Sequence, residues 1–168
     1  MVTTIQRDAR AVAETVTDPE LPMLTLADLG VLREVSEVDG RVTVAITPTY
    51  SGCPAMDTMR DDLAHALLDA GYGDVEIRTV LEPAWSSDWI SAAGRRKLAE
   101  AGIAPPGAAP RRAAGPIPLT LAPPVARVAC PQCGSRDTEE QSRFSATACR
   151  ALRRCRSCLE PFEHVKEI

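Results

Sequence analysis

The sequence lacks any run of apolar residues close to the ~18 that a membrane-spanning helix needs. Its first eight residues reach charged side chains without forming an apolar signal core. It also lacks a glycine-rich phosphate loop, a Ser/His/Asp set and a pair of catalytic carboxylates. We therefore expect a cytoplasmic protein with no membrane partner and no catalytic residues of its own, and not a stand-alone hydrolase or kinase.

Aromatic residues make up only 4% of the 168 residues, but the 45% hydrophobic and 25% charged content is typical of a soluble globular protein. The charge is divided unevenly along the chain. Residues 1–108 contain nine Lys/Arg and seventeen Asp/Glu, whereas residues 109–168 contain ten and six. A basic tail is compatible with nucleic acid, with an acidic protein partner or with simple solubility. Since aromatic residues are not interleaved with the basic ones, we rank a nucleic-acid-binding protein last.

Hydrophobic periodicity predicts an α+β domain over residues 1–104. Apolar residues recur at helical spacing in two segments and alternate as in strands in three others, and Asp39-Gly40 is a strong hairpin signal. The predicted segments are a helix over 5–16, strands over 31–38 and 41–46, a helix over 56–70, a strand over 75–81 and a last helix within 85–101. The order αββαβ(α) indicates a two-layer sandwich with the helices on one side of the sheet.

Seven prolines lie between residues 103 and 127, together with Gly and Ala. Such a composition cannot build a core, and it predicts a semi-rigid linker over residues 105–127. We therefore predict a domain boundary at this linker and a separate small module over residues 128–168.

The small module contains two C-x-x-C pairs, which are typical of a structural zinc site in a β-hairpin zinc ribbon. The predicted ligands are Cys130, Cys133, Cys155 and Cys158. Strands are predicted over 142–147 and 151–154, both between the two pairs. His164 is an alternative ligand that the four cysteines make unnecessary. Cys149 is left as a spare thiol, for which burial, ligand exchange and cluster binding all remain open.

Cys53 is the cysteine outside the small module, and Gly52 and Pro54 place it at the predicted start of a helix. A helix dipole there favours the thiolate, the form that binds iron or attacks an electrophile. A small buried core residue is an equally good interpretation. Two acidic residues, Asp18 and Glu20, are further candidates and lie on a proline-constrained loop. The simpler interpretations are that Asp18 starts a turn and that the side chain of Glu20 is solvated.

Three other residues have ordinary structural interpretations. His65 lies among aspartates on the second helix and is predicted to be a surface residue. Trp85 and Trp89 open the last helix and are predicted to anchor it on the sheet.

Taken together, these motifs resemble a known family. The segments 18–22, 28–31 and 47–54 are similar to the small iron–sulfur assembly domain of SufT-type proteins and eukaryotic cluster-targeting factors. The segment 85–106, the 130–158 ribbon and the following Glu160-Pro161-Phe162 narrow the resemblance to the PaaD family of phenylacetate-degradation proteins. The resemblance covers nearly the whole chain apart from the linker.

The resemblance implies a maturation factor that assists iron–sulfur cluster assembly or insertion for the multicomponent oxygenase that epoxidises the ring of phenylacetyl-CoA. It implies that Cys53, Asp18, Glu20 and Thr49 handle iron or a transient cluster, and that zinc in the ribbon is structural. The implied partners are the reductase subunit of the oxygenase and other cluster-assembly proteins. Since one thiolate cannot saturate a cluster, a homodimer or a partner must supply further ligands.

A second role compatible with the resemblance is that of a non-catalytic structural subunit of the same oxygenase complex. Such a subunit would co-purify with the oxygenase, whereas a maturation factor would bind it transiently. The chain also departs from the expected pattern at Ser145, Arg150 and Arg153, where relatives are expected to have Gly, Lys and Tyr. We therefore expect the outer surface of this ribbon to differ from theirs.

Overall fold

The computed structural model describes residues 8–110 and 127–168. It divides into two compact units, the first ending at Lys97 and the second beginning at Leu98. Within the described residues, every helix is too short or too polar to cross a membrane. The domain limits at residues 104 and 128 stay a prediction.

The first unit contains a three-stranded sheet and the helices that accompany it. Its elements are α1 (Ala9–Ala13), β1 (Leu32–Val38), β2 (Arg41–Ile46), α2 (Met56–Asp69), β3 (Asp74–Thr79), a 3-10 turn (Ser87–Trp89) and the greater part of α3 (Ala92–Glu100). The strands lie in the order β1-β2-β3, with β1 antiparallel and β3 parallel to β2. The predicted α+β fold is confirmed.

The hairpin between β1 and β2 turns at Asp39 and Gly40, as predicted. Both residues have a positive φ, 50° and 80°, which is the conformation of a two-residue turn that matches strand twist. The parallel pair β2 and β3 needs a crossover, and α2 supplies it. The loop before β1, the loop after β2 and the loop after β3 therefore all lie at the same end of the sheet.

The core of this unit lies between the sheet and the helices. Alternate residues of the central strand β2 are fully buried, and so are three residues spaced by four on α2. These residues are Val42, Val44 and Ile46 on β2, and Met59, Leu63 and Leu67 on α2. The helical period on one element and the alternating period on the other meet in a single apolar layer.

Helix α1 is shorter than predicted. Residues 5–7 of the predicted helix lie outside the described residues, and α1 begins after Asp8, whose side chain caps it by accepting from the Arg10 amide at 3.1 Å. The helix ends before Thr15, whose hydroxyl donates to the carbonyl of Val12 at 2.7 Å. A side chain that satisfies the backbone locally competes with further helix, so the predicted end at residue 16 is wrong.

The second unit contains a separate three-stranded antiparallel sheet. Its strands are β4 (Thr138–Ser142), β5 (Arg150–Cys155) and β6 (Pro161–Val165), in that order across the sheet. The strand predicted over 151–154 corresponds to β5, but the strand predicted over 142–147 is wrong. The hydroxyl of Ser142 donates to the Phe144 carbonyl at 2.7 Å and accepts from its amide at 3.2 Å, so the chain turns there instead.

Candidate metal centre and thiol loop

The four predicted ligand cysteines are brought together by the second unit. The sulfur atoms of Cys130, Cys133, Cys155 and Cys158 all lie within 4.8 Å of one another. Cys130 and Cys133 come from the loop before β4, Cys155 ends β5, and Cys158 lies in the turn before β6. Cys130 and Cys155 are buried, whereas Cys133 and Cys158 are exposed.

The spacing of the sulfur atoms fits a tetrahedral metal ion. The Sγ atoms of Cys130 and Cys158 are 3.7 Å apart, and those of Cys133 and Cys155 are 3.6 Å apart. A tetrahedron with metal–sulfur bonds of about 2.3 Å, as for Zn²⁺, has edges of about 3.8 Å. A disulfide would need an Sγ–Sγ distance of about 2 Å, so these pairs are arranged as metal ligands.

The electrostatics of the cluster also favour a cation. The backbone amide of Cys158 donates to Sγ of Cys155 at 3.5 Å, and this bond contributes most to lowering the pKa of Cys155 to about 6. The Glu160 amide acts to lower the pKa of Cys158, but desolvation and the neighbouring sulfurs raise it to about 12. Adjacent thiolates repel one another, so the four sulfurs ionise together at neutral pH only when a bound cation stabilises them.

Backbone bonds hold the two C-x-x-C pairs in place. The amide of Gly134 donates to the Cys130 carbonyl at 2.9 Å, and the Cys130 amide donates to the carbonyl of Ser135 at 2.9 Å. The hydroxyl of Ser135 lies 2.7 Å from that of Ser157, which joins the first pair to the second. The donor set and its support fit a closed four-thiolate metal site.

Cys53 lies on the loop between β2 and α2, which we call the thiol loop (residues 47–55). Its side chain is half-buried, and the structure records no disulfide for any of the chain's six cysteines, all of which it describes. The amide of Met56 donates to the Cys53 carbonyl at 3.4 Å, and α2 begins at Met56 with Ala55 as its N-cap. Cys53 therefore lies two residues before the N-cap, close to the helix start at which the sequence placed it.

The acidic candidates differ from one another. Asp18 is buried, and its Oδ1 atom accepts from the amides of Glu20 and Leu21, both at 2.8 Å. Glu20 is exposed. The carboxylate of Asp18 therefore holds the turn, whereas the carboxylate of Glu20 faces solvent on the same loop.

Backbone bonds connect the acidic loop to the thiol loop. Leu26 donates to the carbonyl of Val16 at 2.9 Å, and Val31 donates to the carbonyl of Leu26 at 2.9 Å. Val31 in turn accepts from the amide of Thr47 at 3.0 Å. The bases of the loops that carry Asp18, Glu20, Thr49 and Cys53 are thus joined at one end of the sheet. The roles of these residues remain predictions.

Thr47 is a residue that the sequence did not single out. Its side chain is 1% exposed, and its hydroxyl makes no hydrogen bond with the described residues. A buried hydroxyl without a partner costs about 1–3 kcal/mol, and such groups need an explanation. The sequence offers no signal for it, because threonine at the end of a strand is ordinary.

The remaining sequence candidates have structural surroundings. His65 is exposed, and Trp85 is 5% exposed with Nε1 donating to the Leu29 carbonyl at 2.9 Å. His164 is buried and lies outside the four-cysteine cluster. Cys149 is half-buried, with its Sγ atom 3.1 Å from the hydroxyl of Thr147.

Two of the departures from the family pattern are not on the ribbon's outer surface. Arg150 and Arg153 are 5% and 3% exposed. Arg150 donates to Oε2 of Glu163 at 2.6 Å, and Glu163 also accepts from the hydroxyl of Ser145. The expectation of a changed outer surface is wrong for these two arginines, because each guanidinium is buried and forms an ion pair with a glutamate.

The fold and the two kinds of cysteine site define an iron–sulfur assembly type of domain followed by a metal-binding ribbon. Comparisons with known proteins agree. A family model described as an iron–sulfur cluster assembly protein matches residues 6–79, and one described as the PaaD zinc beta ribbon domain matches residues 116–166. A crystal structure of a DUF59 domain from Bacillus anthracis has a TM-score of 0.50 and 25% identity, covering 55% of this chain and 90% of that one.

Two curated relatives extend the comparison. The chain is 40% identical over 156 residues to an Escherichia coli protein named as a putative component of 1,2-phenylacetyl-CoA epoxidase, covering 93% of this chain and 89% of that protein. It is 35% identical over 88 residues to an Fe-S protein maturation auxiliary factor of Porphyromonas gingivalis, covering 51% of this chain and 83% of that one. The chain belongs to the PaaD family, as its sequence motifs indicate.

Proposed function

We propose that this protein is a maturation factor that assists iron–sulfur cluster assembly or insertion for the phenylacetyl-CoA ring epoxidase, a multicomponent oxygenase. The relative from E. coli is named as a component of the epoxidase, and the relative from P. gingivalis as an Fe-S maturation factor. One chain that resembles both is best explained as the maturation factor dedicated to that oxygenase. Its partner would be the iron–sulfur reductase subunit.

The observation that carries this proposal is the separation of thiols into two settings. Four sulfurs are closed around a site that fits a metal ion, which leaves no open coordination position for chemistry. Cys53 is half-buried on a loop at the end of the sheet, where a transferred iron or cluster can reach it. The carboxylate of Glu20 and the hydroxyl of Thr49 lie on the loops that join there and supply further oxygen ligands.

We also propose that the four-cysteine site holds zinc. Thiolates are the ligands that Zn²⁺ prefers in closed structural sites, and the sulfur spacings of 3.7 Å and 3.6 Å fit its bond length. When bound, zinc supplies folding free energy to a unit with a small apolar core. Cys130, Cys133, Cys155 and Cys158 would be its ligands.

The experiment compares two cysteine substitutions in cells that lack the chromosomal copy of the gene. Cys53→Ser should leave the oxygenase reductase with at least about fivefold less iron and sulfide than the wild type does, because no thiolate remains to take the cargo. Cys149→Ser is the matched control, since Cys149 is also half-buried, and it should restore full cluster content. Full restoration by Cys53→Ser would reject the proposal.

The name of the E. coli relative favours a second candidate, a structural subunit of the oxygenase. A structural component would co-purify with the oxygenase in fixed stoichiometry whether or not the reductase is loaded. A maturation factor should bind the unloaded reductase and release it once the cluster is in place. Pull-down with loaded and unloaded reductase separates the two roles.

A further inference from the structure

A short segment of the second unit lies on the outer edge of the ribbon. We call residues 103–107 the docked segment. The amide of Ala104 donates to the carbonyl of Glu163 at 2.8 Å, and the amide of Val165 donates to the carbonyl of Ala104 at 3.0 Å. These bonds form a parallel bridge between Ala104 and His164, so the segment covers the edge that β6 would otherwise present.

The docked segment also shares an apolar cluster with the metal centre. Ala104 is 1% exposed and belongs to one apolar cluster with Val128, Cys130, Cys155 and Phe162. Two members of this cluster carry sulfur ligands of the four-cysteine site. The methyl group of Ala104 therefore helps to exclude water behind the buried half of the metal centre.

A polar clasp holds the far end of the docked segment. The amide of Gly107 donates to Oε1 of Glu167 at 3.0 Å, and Nε2 of His164 lies 3.3 Å from the same oxygen. His164 and the Gly107 amide lower the pKa of Glu167 to about 2, so this carboxylate is charged at neutral pH. His164 is 2% exposed, and its Nε2 atom lies beside this oxygen without a well-aligned hydrogen bond.

The same clasp borders a small cavity. It has a volume of about 190 Å³ and is lined by residues from both sides of the proline-rich stretch, residues 104–107 on one side and 127–129 on the other. Residues 104–107 and 127–129 therefore lie next to each other on the ribbon. A segment expected to act as a spacer begins and ends on the ribbon.

We propose that docking of this segment on β6 and binding of the metal ion to the four cysteines stabilise each other. Residues 103–107 lie outside the 116–166 range of the ribbon family model. Binding of the metal ion therefore favours the state in which this stretch of chain is held on the ribbon. The proposal rests on the metal site and is independent of the role in cluster assembly.

The physical reason is reciprocity. If binding the metal favours docking by a given factor, docking must favour binding of the metal by the same factor. Cys130 and Cys155 are positioned by a cluster that is incomplete without Ala104. A change that undocks the segment should therefore weaken metal binding although every ligand is intact.

The test measures zinc release from the full-length, zinc-loaded protein to a chromogenic chelator. Ala104→Asp places a charge in the apolar cluster and should release zinc about tenfold faster than wild type. Ala108→Asp is the matched control, because Ala108 is exposed and lies just beyond the docked segment, and it should release zinc at the wild-type rate. Unchanged release from Ala104→Asp, or equally fast release from Ala108→Asp, would overturn the proposal.

A milder variant removes the risk that the first one disturbs folding. Glu167→Gln keeps the size of the side chain, lies outside the apolar cluster, and should accelerate zinc release about threefold. Hydrogen exchange on the same zinc-loaded sample should show faster exchange of the Val165 amide. Faster exchange of this amide with wild-type zinc release would show that docking and metal binding are not coupled.

Discussion

The Nζ atom of Lys97 on α3 lies 2.6 Å from Oδ2 of Asp28, in the loop that precedes β1. The other carboxylate oxygen of Asp28 accepts from the hydroxyl of Ser91 at 3.0 Å, and Oδ2 also accepts from the Thr25 amide at 3.3 Å. The Asp28 side chain is only 13% exposed. One carboxylate thus fixes the turn before β1 to the start of α3.

We expect Asp28→Asn to lower the free energy of unfolding of the first unit by about 2 kcal/mol, because hydrogen bonds to a charged group contribute about 1.5–3 kcal/mol. Burial acts to raise the pKa of Asp28, but the bonds from Lys97, Thr25 and Ser91 together lower it below 3.8. The contribution is therefore present in full above that pH and is lost as the pH falls below it.

Urea unfolding followed by tryptophan fluorescence measures this effect, since both tryptophans, Trp85 and Trp89, lie in the first unit. The difference between wild type and Asp28→Asn should be constant from about pH 5 to 7 and should shrink below about pH 4. Lys97→Met is a partner variant that should lose less, because Ser91 and Thr25 still bind the carboxylate. An equal difference at low and neutral pH would contradict the assignment.

Gly30 provides a second prediction about the same loop. Its φ is +69°, and a Cβ atom there would lie 2.6 Å from Cβ of Trp89. Gly30→Ala should therefore suffer both backbone strain of about 1–2 kcal/mol and a steric clash. Gly40 is the matched control, because its φ is +80° but nothing lies within 4 Å of its Cβ position. Urea unfolding should show a clearly larger loss for Gly30→Ala; equal losses would mean that the contact with Trp89 is not close.

The sequence predicts the elements of the first unit well because their patterns are local. The alternation of Val42, Val44 and Ile46 and the Asp39-Gly40 turn each need only neighbouring residues to be interpreted. Each of the two C-x-x-C pairs is also a local pattern, so the candidate metal ligands can be predicted from the cysteine spacing alone. The parallel pairing of β2 with β3 follows from the intervening helix.

What the sequence could not predict depends on contacts between distant residues. Strand β6 begins at Pro161, a residue that argues against a strand except at its first position. Docking of Ala104 on β6 joins residues far apart in the chain, and the composition of the proline-rich stretch suggested only a spacer. The burial of Arg150 and Arg153 depends on Glu163 and Glu140, whose positions only the folded sheet sets.

Metal removal is a third test, and it concerns the second unit alone. Chelation at neutral pH should abolish the protection of β5 and β6 amides from hydrogen exchange, because the apolar cluster of this unit contains two of the metal ligands, Cys130 and Cys155. X-ray absorption of the loaded protein should show four sulfur neighbours at about 2.3 Å. Tryptophan fluorescence should stay unchanged as a control. Nitrogen or oxygen neighbours would contradict the four-cysteine ligand set.

The last prediction concerns Thr47, whose hydroxyl is buried without a hydrogen bond to the described residues at the start of the thiol loop. Thr47→Val keeps the shape and removes the unpartnered oxygen, so it should raise the free energy of unfolding by about 1 kcal/mol. Thr43→Val, at a half-buried position on β2, the strand that precedes Thr47, is the control for β-propensity and should change stability by less.

A stabilising substitution at Thr47 would mean that the hydroxyl is kept for a purpose other than folding, as polar groups at functional sites often are. In that case Thr47→Val should also lower the cluster content of the reductase in the complementation experiment, whereas Thr43→Val should not. Destabilisation by more than about 1 kcal/mol would instead mean that the hydroxyl has a structural hydrogen-bond partner. The two measurements together decide whether the thiol loop uses this oxygen when iron or a cluster reaches Cys53.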